Sequence, residues 1–193
     1  MLDKKLFYIN GKWVSPKNSK EIKVIDPATE KECAAISLGG KDDVNDAVAA
    51  AKNAFEAWSF TSKEQRVELL EKLYVIYKKR WEEVAKAITL EMGAPKDFSS
   101  QLQAGAGAGH IKSFIKYLKE FNFEKVLGDH AKNQKILYEP KGVCALITPW
   151  NWPMNQVCLK VIPALAAGCT MVLKPSELAP LSSMILAEMI DEV

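Results

Sequence analysis

The apolar positions of the chain change period after Ser37. From Leu6 to Ser37 the apolar runs are short and are interrupted at Asn10-Gly11, Ser15-Pro16 and Asp26-Pro27, which predicts small strands joined by turns. Beyond them Val44, Ala47, Val48, Ala51, Phe55 and Trp58 recur at steps of three and four, the spacing of one helix face, with Asp42 and Asp43 near the positive end of that helix. Ser62 and Gln65 have the separation of a capping box, and Leu70, Leu73, Tyr74 and Tyr77 form one face of the helix they open. Trp81 to Met92 predicts a third helix, stopped by Gly93-Ala94-Pro95.

Gly105-Ala106-Gly107-Ala108-Gly109 invites reading as a phosphate loop, but no strand precedes it, no Lys-Ser or Lys-Thr follows, and helical spacing continues through Phe114, Ile115 and Leu118. Small residues that let two helices approach closely are the better account. From Phe121 to Pro140 the helical period is lost. Leu127-Gly128-Asp129 reads as a turn and Ile136-Leu137-Tyr138 as a strand, together a projecting hairpin.

The C-terminal segment alternates strand and helix. Val143 to Ile147 is a short apolar run bounded by Pro140, Gly142 and Pro149, and it reads as a buried strand. Pro153 suits the first position of a helix and Gly168 the position just past a helix end, so a helix is expected between Pro153 and Ala167. Thr170 to Leu173 is a second buried strand, and Pro180 opens another helical stretch from Leu181 to Val193. Strands joined by a helical crossover are parallel, with both carboxyl ends at one edge of the sheet, the edge where open α/β sheets bind ligands. Asn151 and the Lys174/Glu177 pair are therefore expected to face one crevice, a dinucleotide or substrate site.

Composition narrows the classes. With 193 residues, 48% hydrophobic and 26% charged, the chain has enough apolar material for a core. A balance of 26 basic and 24 acidic residues, net charge +2, argues against nucleic acid and anionic membranes as partners. No run resembles a signal or a membrane span, so a cytoplasmic location is expected. Four cysteines without close pairing fit a reducing compartment, and with His110 and His130 they give no metal-ligand spacing, so no metal is expected. Cys144 in a strand and Cys158 in a helix read as packing residues.

Pro149-Trp150-Asn151-Trp152-Pro153, followed by Lys174-Pro175-Ser176-Glu177, resembles the aldehyde dehydrogenase superfamily. Weaker likeness at Phe7 to Val14, Val24 to Thr29 and Leu90 to Pro95 extends the resemblance over essentially the whole chain. It implies an α/β fold: an incomplete Rossmann-like cofactor-binding domain with N-terminal helices and a projecting β-hairpin. Residues 1–120 would be its N-terminal strands and helices, 121–140 an oligomerisation hairpin, and 141–193 the first β-α-β part of the dinucleotide-binding sheet, with the catalytic domain absent. The implied activity is NAD-dependent oxidation of a small aldehyde to a carboxylic acid through a thiohemiacetal and a thioester.

The same resemblance assigns cofactor binding to Ile147, Thr148, Pro149, Trp150, Lys174, Ser176 and Glu177. Lys174 would donate to ribose hydroxyls and Glu177 accept from them. A carboxylate there accepts from a free 2′-OH and repels a 2′-phosphate, so NAD is expected over NADP. Asn151 would donate its side-chain amide to the oxyanion formed on thiolate attack, held by the flanking prolines; the helix pattern taken alone favours a capping role instead. Lys160, the one charged residue between Met154 and Cys169, would lie near the active site. On an otherwise apolar helix it must reach outward or find an acceptor. Pro163 should kink that helix.

The superfamily's cysteine nucleophile, glutamate base and Gly-rich phosphate turn are expected beyond Val193, so the chain alone should lack turnover. The hairpin would pair subunits into a homo-oligomer, a dimer or tetramer, against the alternative of a capped edge within one subunit. A second reading of the whole chain is a noncatalytic truncated protein acting as a binding or assembly module.

Overall fold

The computed structural model of the chain describes residues 1–18 and 20–193. The N-terminal part holds five short strands: β1 (Leu2–Lys4), β2 (Phe7–Ile9), β3 (Lys12–Val14), β4 (Lys20–Asp26) and β5 (Lys31–Leu38). β2 and β3 form an antiparallel hairpin whose two turn residues, Asn10 and Gly11, have φ of 54° and 68°. Asn-Gly tolerates that left-handed pair, which matches the twist of the flanking strands. The other sheet has the order β1-β5-β4, with β4 antiparallel and β1 parallel to β5.

Helices follow: α1 (Lys41–Ser59), α2 (Lys63–Lys79), α3 (Trp81–Met92), the single turn α4 (Lys96–Phe98), a π-helical turn at Ser99–Ala104, and α5 (Gly105–Glu120). The start of α2 is fixed by the expected capping box: Gln65 N–H donates to Ser62 Oγ at 3.1 Å, and Ser62 N–H to Gln65 Oε1 at 2.8 Å. Gly93 ends α3 in the left-handed region at φ 74°. The glycine-rich stretch is helical, as its spacing predicts. A Cβ on Gly107 would lie 2.4 Å from Tyr77 Oη and 3.3 Å from Met154 Cβ, so this position is where α5 closes on its neighbours.

β6 (Glu124–Val126) and β7 (Lys135–Leu137) pair antiparallel as an exposed hairpin. Its connection is longer than the expected turn and contains a 3-10 turn at Asp129–Ala131. Then come β8 (Val143–Ile147), α6 (Pro153–Ala166), β9 (Thr170–Lys174) and α7 (Leu181–Asp191). β8 and β9 are parallel, in register from Val143↔Thr170 to Ile147↔Lys174. Gly168, at φ 81°, lets the chain leave α6.

One core runs from β4 and β5 through α2, α3, α5, α6 and α7. Tyr77, Ile88, Ile111, Met154, Ile162 and Leu186 are almost wholly buried in it. Each such aliphatic side chain contributes about 1.5–3 kcal/mol through removal from water. Residues 1–120 and 141–193 share this core; Phe123, just before β6, packs against it, while β6 and β7 stand outside it.

Two expectations require correction. β8 is not a buried strand: Ile147 is 69% exposed and Ala145 also faces solvent. The β8-β9 sheet has two strands, and each keeps one open edge. Val44, placed on the apolar face of α1, is 53% exposed, since that helix packs on the small sheet mainly through its later turns, where Ala51 is buried and accepts the Thr170 hydroxyl at 2.8 Å.

α7 is tied down at both ends. Near its C-terminal end Arg80 bonds Glu188 at 2.6 Å and Glu192 at 3.0 Å, and Lys4 of β1 reaches the other Glu188 oxygen at 2.5 Å. At its N-terminal end Glu91 receives the first backbone N–H groups. No helix among the described residues is long and apolar enough to cross a membrane.

Candidate functional site

The parallel register places the carboxyl ends of β8 and β9 side by side, and the contact continues past them. Thr148 N–H donates to the carbonyl of Lys174 at 3.3 Å. The turn Thr148 to Trp152 and the loop Pro175 to Pro180 thus leave the same edge of the sheet. Trp150 and Glu177, one from each segment, line a common groove of about 310 Å³ with Leu178. Its far wall is Lys23, Val24, Ile25 and Pro27 from β4 and the turn after it, and Glu91 and Met92 from the end of α3.

Within the turn, Thr148 is buried, Pro149 and Asn151 are exposed, and Trp150 is half exposed. Asn151 does not cap the helix. The N-cap of α6 is Trp152, without a side-chain cap, and Pro153 occupies the first turn. The Asn151 amide makes no hydrogen bond among the described residues, so it is open to a ligand. The Trp152 ring packs edge-on against Phe98 at 5.5 Å between centroids.

In the second segment the Lys174 ammonium bonds a Glu177 carboxylate oxygen at 2.6 Å, with both side chains half exposed or more. The hydrogen bond from Lys174 holds the Glu177 carboxyl below the usual carboxylate range, so it is ionised at neutral pH. Ser176 is buried, and its hydroxyl accepts Leu178 N–H at 3.2 Å, which folds the loop back on itself. Glu177 lines the groove and Lys174 reaches it through their ion pair; an ammonium and a carboxylate held together suit a vicinal diol, since one donates and the other accepts.

Lys160 is half buried on α6 and finds its acceptor one turn back, Gln156 Oε1 at 3.4 Å. Among the described residues it forms no hydrogen bond or ion pair with Lys174 or Glu177. α6 continues through Pro163. The first turn of the same helix pairs Asn155 with His110 of α5 at 2.7 Å.

The thiols are free. Burial pushes the Cys158 thiol up to about 12 and raises Cys33 and Cys144 above the ordinary range, Cys144 with a further contribution from neighbouring Cys169. None of these three is poised as a nucleophile.

Sequence reasoning missed the wall opposite Trp150. It also missed Glu91, the one charged residue between Lys86 and Lys96, set in an otherwise apolar helix end. Glu91 is 4% exposed. Isolation among apolar neighbours was the available signal, the same signal used for Lys160.

A parallel β-α-β unit with polar loops at its carboxyl edge places the molecule among the open α/β proteins that take ligands at that edge. The description "Aldehyde dehydrogenase family" matches residues 13–193. The chain belongs to the aldehyde dehydrogenase family. It is 53% identical to a 3-succinoylsemialdehyde-pyridine dehydrogenase of a Pseudomonas species, over 100% of this chain and 40% of that protein. The crystal structure of an aldehyde dehydrogenase from Bartonella henselae superposes with a TM-score of 0.98 at 53% identity, over 100% of this chain and 40% of that one. A mutant of aldehyde dehydrogenase C from Pseudomonas syringae, complexed with NAD+ and octanal, gives 0.93 at 44% identity, over 97% and 38%. The chain therefore spans about 40% of the length of the relatives it matches.

Proposed function

We propose that this chain supplies the nucleotide-binding edge and the oxyanion donor of an enzyme that oxidises a small aldehyde to a carboxylic acid with NAD. The observation that carries the reading is the groove shared by Trp150 and Glu177 at the joined carboxyl ends of β8 and β9. Lys174 and Glu177 would hold the ribose hydroxyls, Ser176 would shape their loop, and Ile147, Thr148, Pro149 and Trp150 would form the wall beside the nucleotide. When bound, NAD would supply the acceptor for the hydride leaving the aldehyde carbon.

Asn151 would donate its amide N–H to the carbonyl oxygen as negative charge develops there. It can do so without competing for the proton, because a carboxamide is neutral and not a base. Lys160, two turns along α6, would help to position the site. The thiolate that adds to the aldehyde and the base that activates water on the thioester are assigned to the part of the family fold that this chain does not span. The relative bound to NAD+ and octanal supports this class of cofactor and substrate.

The test is the natural full-length protein, assayed for aldehyde-dependent reduction of NAD. Glu177→Gln should shrink the preference for NAD over NADP. Unit charges 4 Å apart interact by roughly 1–4 kcal/mol near a surface, so a change of about tenfold in the ratio of kcat/KM values is expected. A ratio unmoved by the substitution removes Glu177 from the ribose site.

The hairpin is proposed as a subunit contact, giving a dimer or tetramer. Val126 and Leu137 are 51% and 58% exposed on strands that leave an edge open. Lysines at both positions should blunt that edge and lower the mass seen by analytical ultracentrifugation. An unchanged mass assigns the contact to another surface.

A further inference from the structure

The first turn of α7 lacks a cap from its own sequence. Its N-cap is Pro180, which has no side-chain acceptor. The acceptor comes instead from another helix. One oxygen of the Glu91 carboxylate accepts Leu181 N–H, and the other accepts Ser182 N–H at 3.1 Å and Ser182 Oγ–H at 2.6 Å. All three bonds are buried.

The segment anchored in this way begins at Lys174, the last residue of β9, and ends at Leu181. It carries Lys174, Ser176 and Glu177, and Glu91 forms part of the groove wall that faces Glu177 and Leu178. One end of the loop is fixed by the sheet and the other by Glu91. We infer that Glu91 is a positioning residue for the nucleotide site, holding the Pro175 to Pro180 loop so that the Lys174/Glu177 pair meets the ribose. This rests on the assignment of that pair to the ribose.

Burial raises the Glu91 carboxyl to about 7, against the lowering effect of its bonds from Ser182 and Leu181. The ionisable groups around it are Lys23 of β4 and Glu177 of the loop, on the same groove, and the Cys33 thiol of β5, whose ionisation Glu91 opposes. Above pH about 7 the carboxylate is ionised and accepts all three bonds. Below it, one oxygen carries a proton and no longer serves as a full acceptor for two N–H groups and a hydroxyl. The loop is then held less firmly and nucleotide affinity falls.

Fold stability runs the other way. A carboxyl raised above its unfolded value contributes stability present below the unfolded pKa and lost as pH rises through about 7. Acidification therefore favours the fold while loosening the site, an opposition that a purely structural glutamate would not produce.

The experiment measures the NAD dissociation constant of the natural full-length protein between pH 6 and 9, roughly the span over which Glu91 titrates, for the wild type, Glu91→Gln and Glu177→Gln. The wild type should bind about tenfold more weakly at the acid end. Glu91→Gln should bind weakly throughout, without that pH step, and keep a near-normal kcat at saturating NAD. Wild-type affinity and a wild-type pH step in Glu91→Gln would overturn the inference while Glu177→Gln still weakens binding; if Glu177→Gln also binds normally, the ribose assignment itself fails. Should Glu91→Gln not fold, Ser182→Ala, which deletes the hydroxyl bond alone, carries the same test. A raised dissociation constant supports the inference, and an unchanged one overturns it.

Discussion

Replacing Asn151 by Ala in the full-length enzyme is expected to slow acylation about 10²–10³-fold, a loss of roughly 2.7–4 kcal/mol of transition-state stabilisation. The NAD dissociation constant should stay nearly unchanged, because the partner proposed for the amide is the reacting carbonyl and not the ribose. Single-turnover hydride transfer to NAD, followed at saturating nucleotide, separates the two. The geometry sharpens this expectation. Trp152 occupies the N-cap of α6, so truncation of Asn151 removes no cap and should cost less than about 0.5 kcal/mol of fold stability. A large loss of rate with little loss of stability identifies an oxyanion donor. An unchanged rate removes Asn151 from the chemistry.

The second large effect belongs to the core. Gly107→Ala is expected to destabilise the fold by about 2 kcal/mol, and Gly107→Val by more, read as a lower denaturant midpoint. The Cβ would stand 2.4 Å from Tyr77 Oη and 3.0 Å from Cζ. Tyr77 cannot swing aside cheaply. It is fully buried, and its hydroxyl donates to the Ala104 carbonyl at 2.9 Å. Alanine gains about 1 kcal/mol of helix propensity over glycine, but overpacking and a disturbed buried hydrogen bond each cost about 1–3 kcal/mol. Gly109 on the same helix is the control. Nothing lies within 4 Å of its added Cβ, so Gly109→Ala should stabilise the fold by about 1 kcal/mol. Equal effects at the two positions would show that α5 does not close on α2 through Gly107.

What could be read from sequence was what local chemistry decides. Ser62 with Gln65, Gly93 and Pro153 mark element ends by satisfying or forbidding backbone hydrogen bonds within a few residues, and the structure puts boundaries there. The parallel pairing of β8 with β9 followed from the crossover helix between them. The shared groove could be anticipated in part, since Trp150 and Glu177 sit just past the two strand ends, whereas Asn151 and Lys174, expected on the same crevice, are not among the residues that line it.

Features that depend on distant partners were not legible. Leu2–Lys4 becomes a strand only because β5 lies beside it. The π-helical turn at Ser99–Ala104 has no periodic signature of its own, and it turns Gln103 fully into the core, where its amide donates to Met92 Sδ at 3.4 Å. The Lys23 to Pro27 wall comes from a strand far back in the chain, and no spacing near residue 150 announces it. Val44 and Ile147 failed the other way. Their periodicity was right for the element, but the layer needed to cover them is not supplied by the two-stranded sheet and its helices.

The raised thiols bear on how the enzyme can be probed. Alkylating reagents react with thiolates, and at neutral pH Cys33, Cys144 and Cys158 hold little of that form. All three should be slow targets. Against these three slow thiols, rapid labelling of any other sulfur would be easy to detect by mass spectrometry.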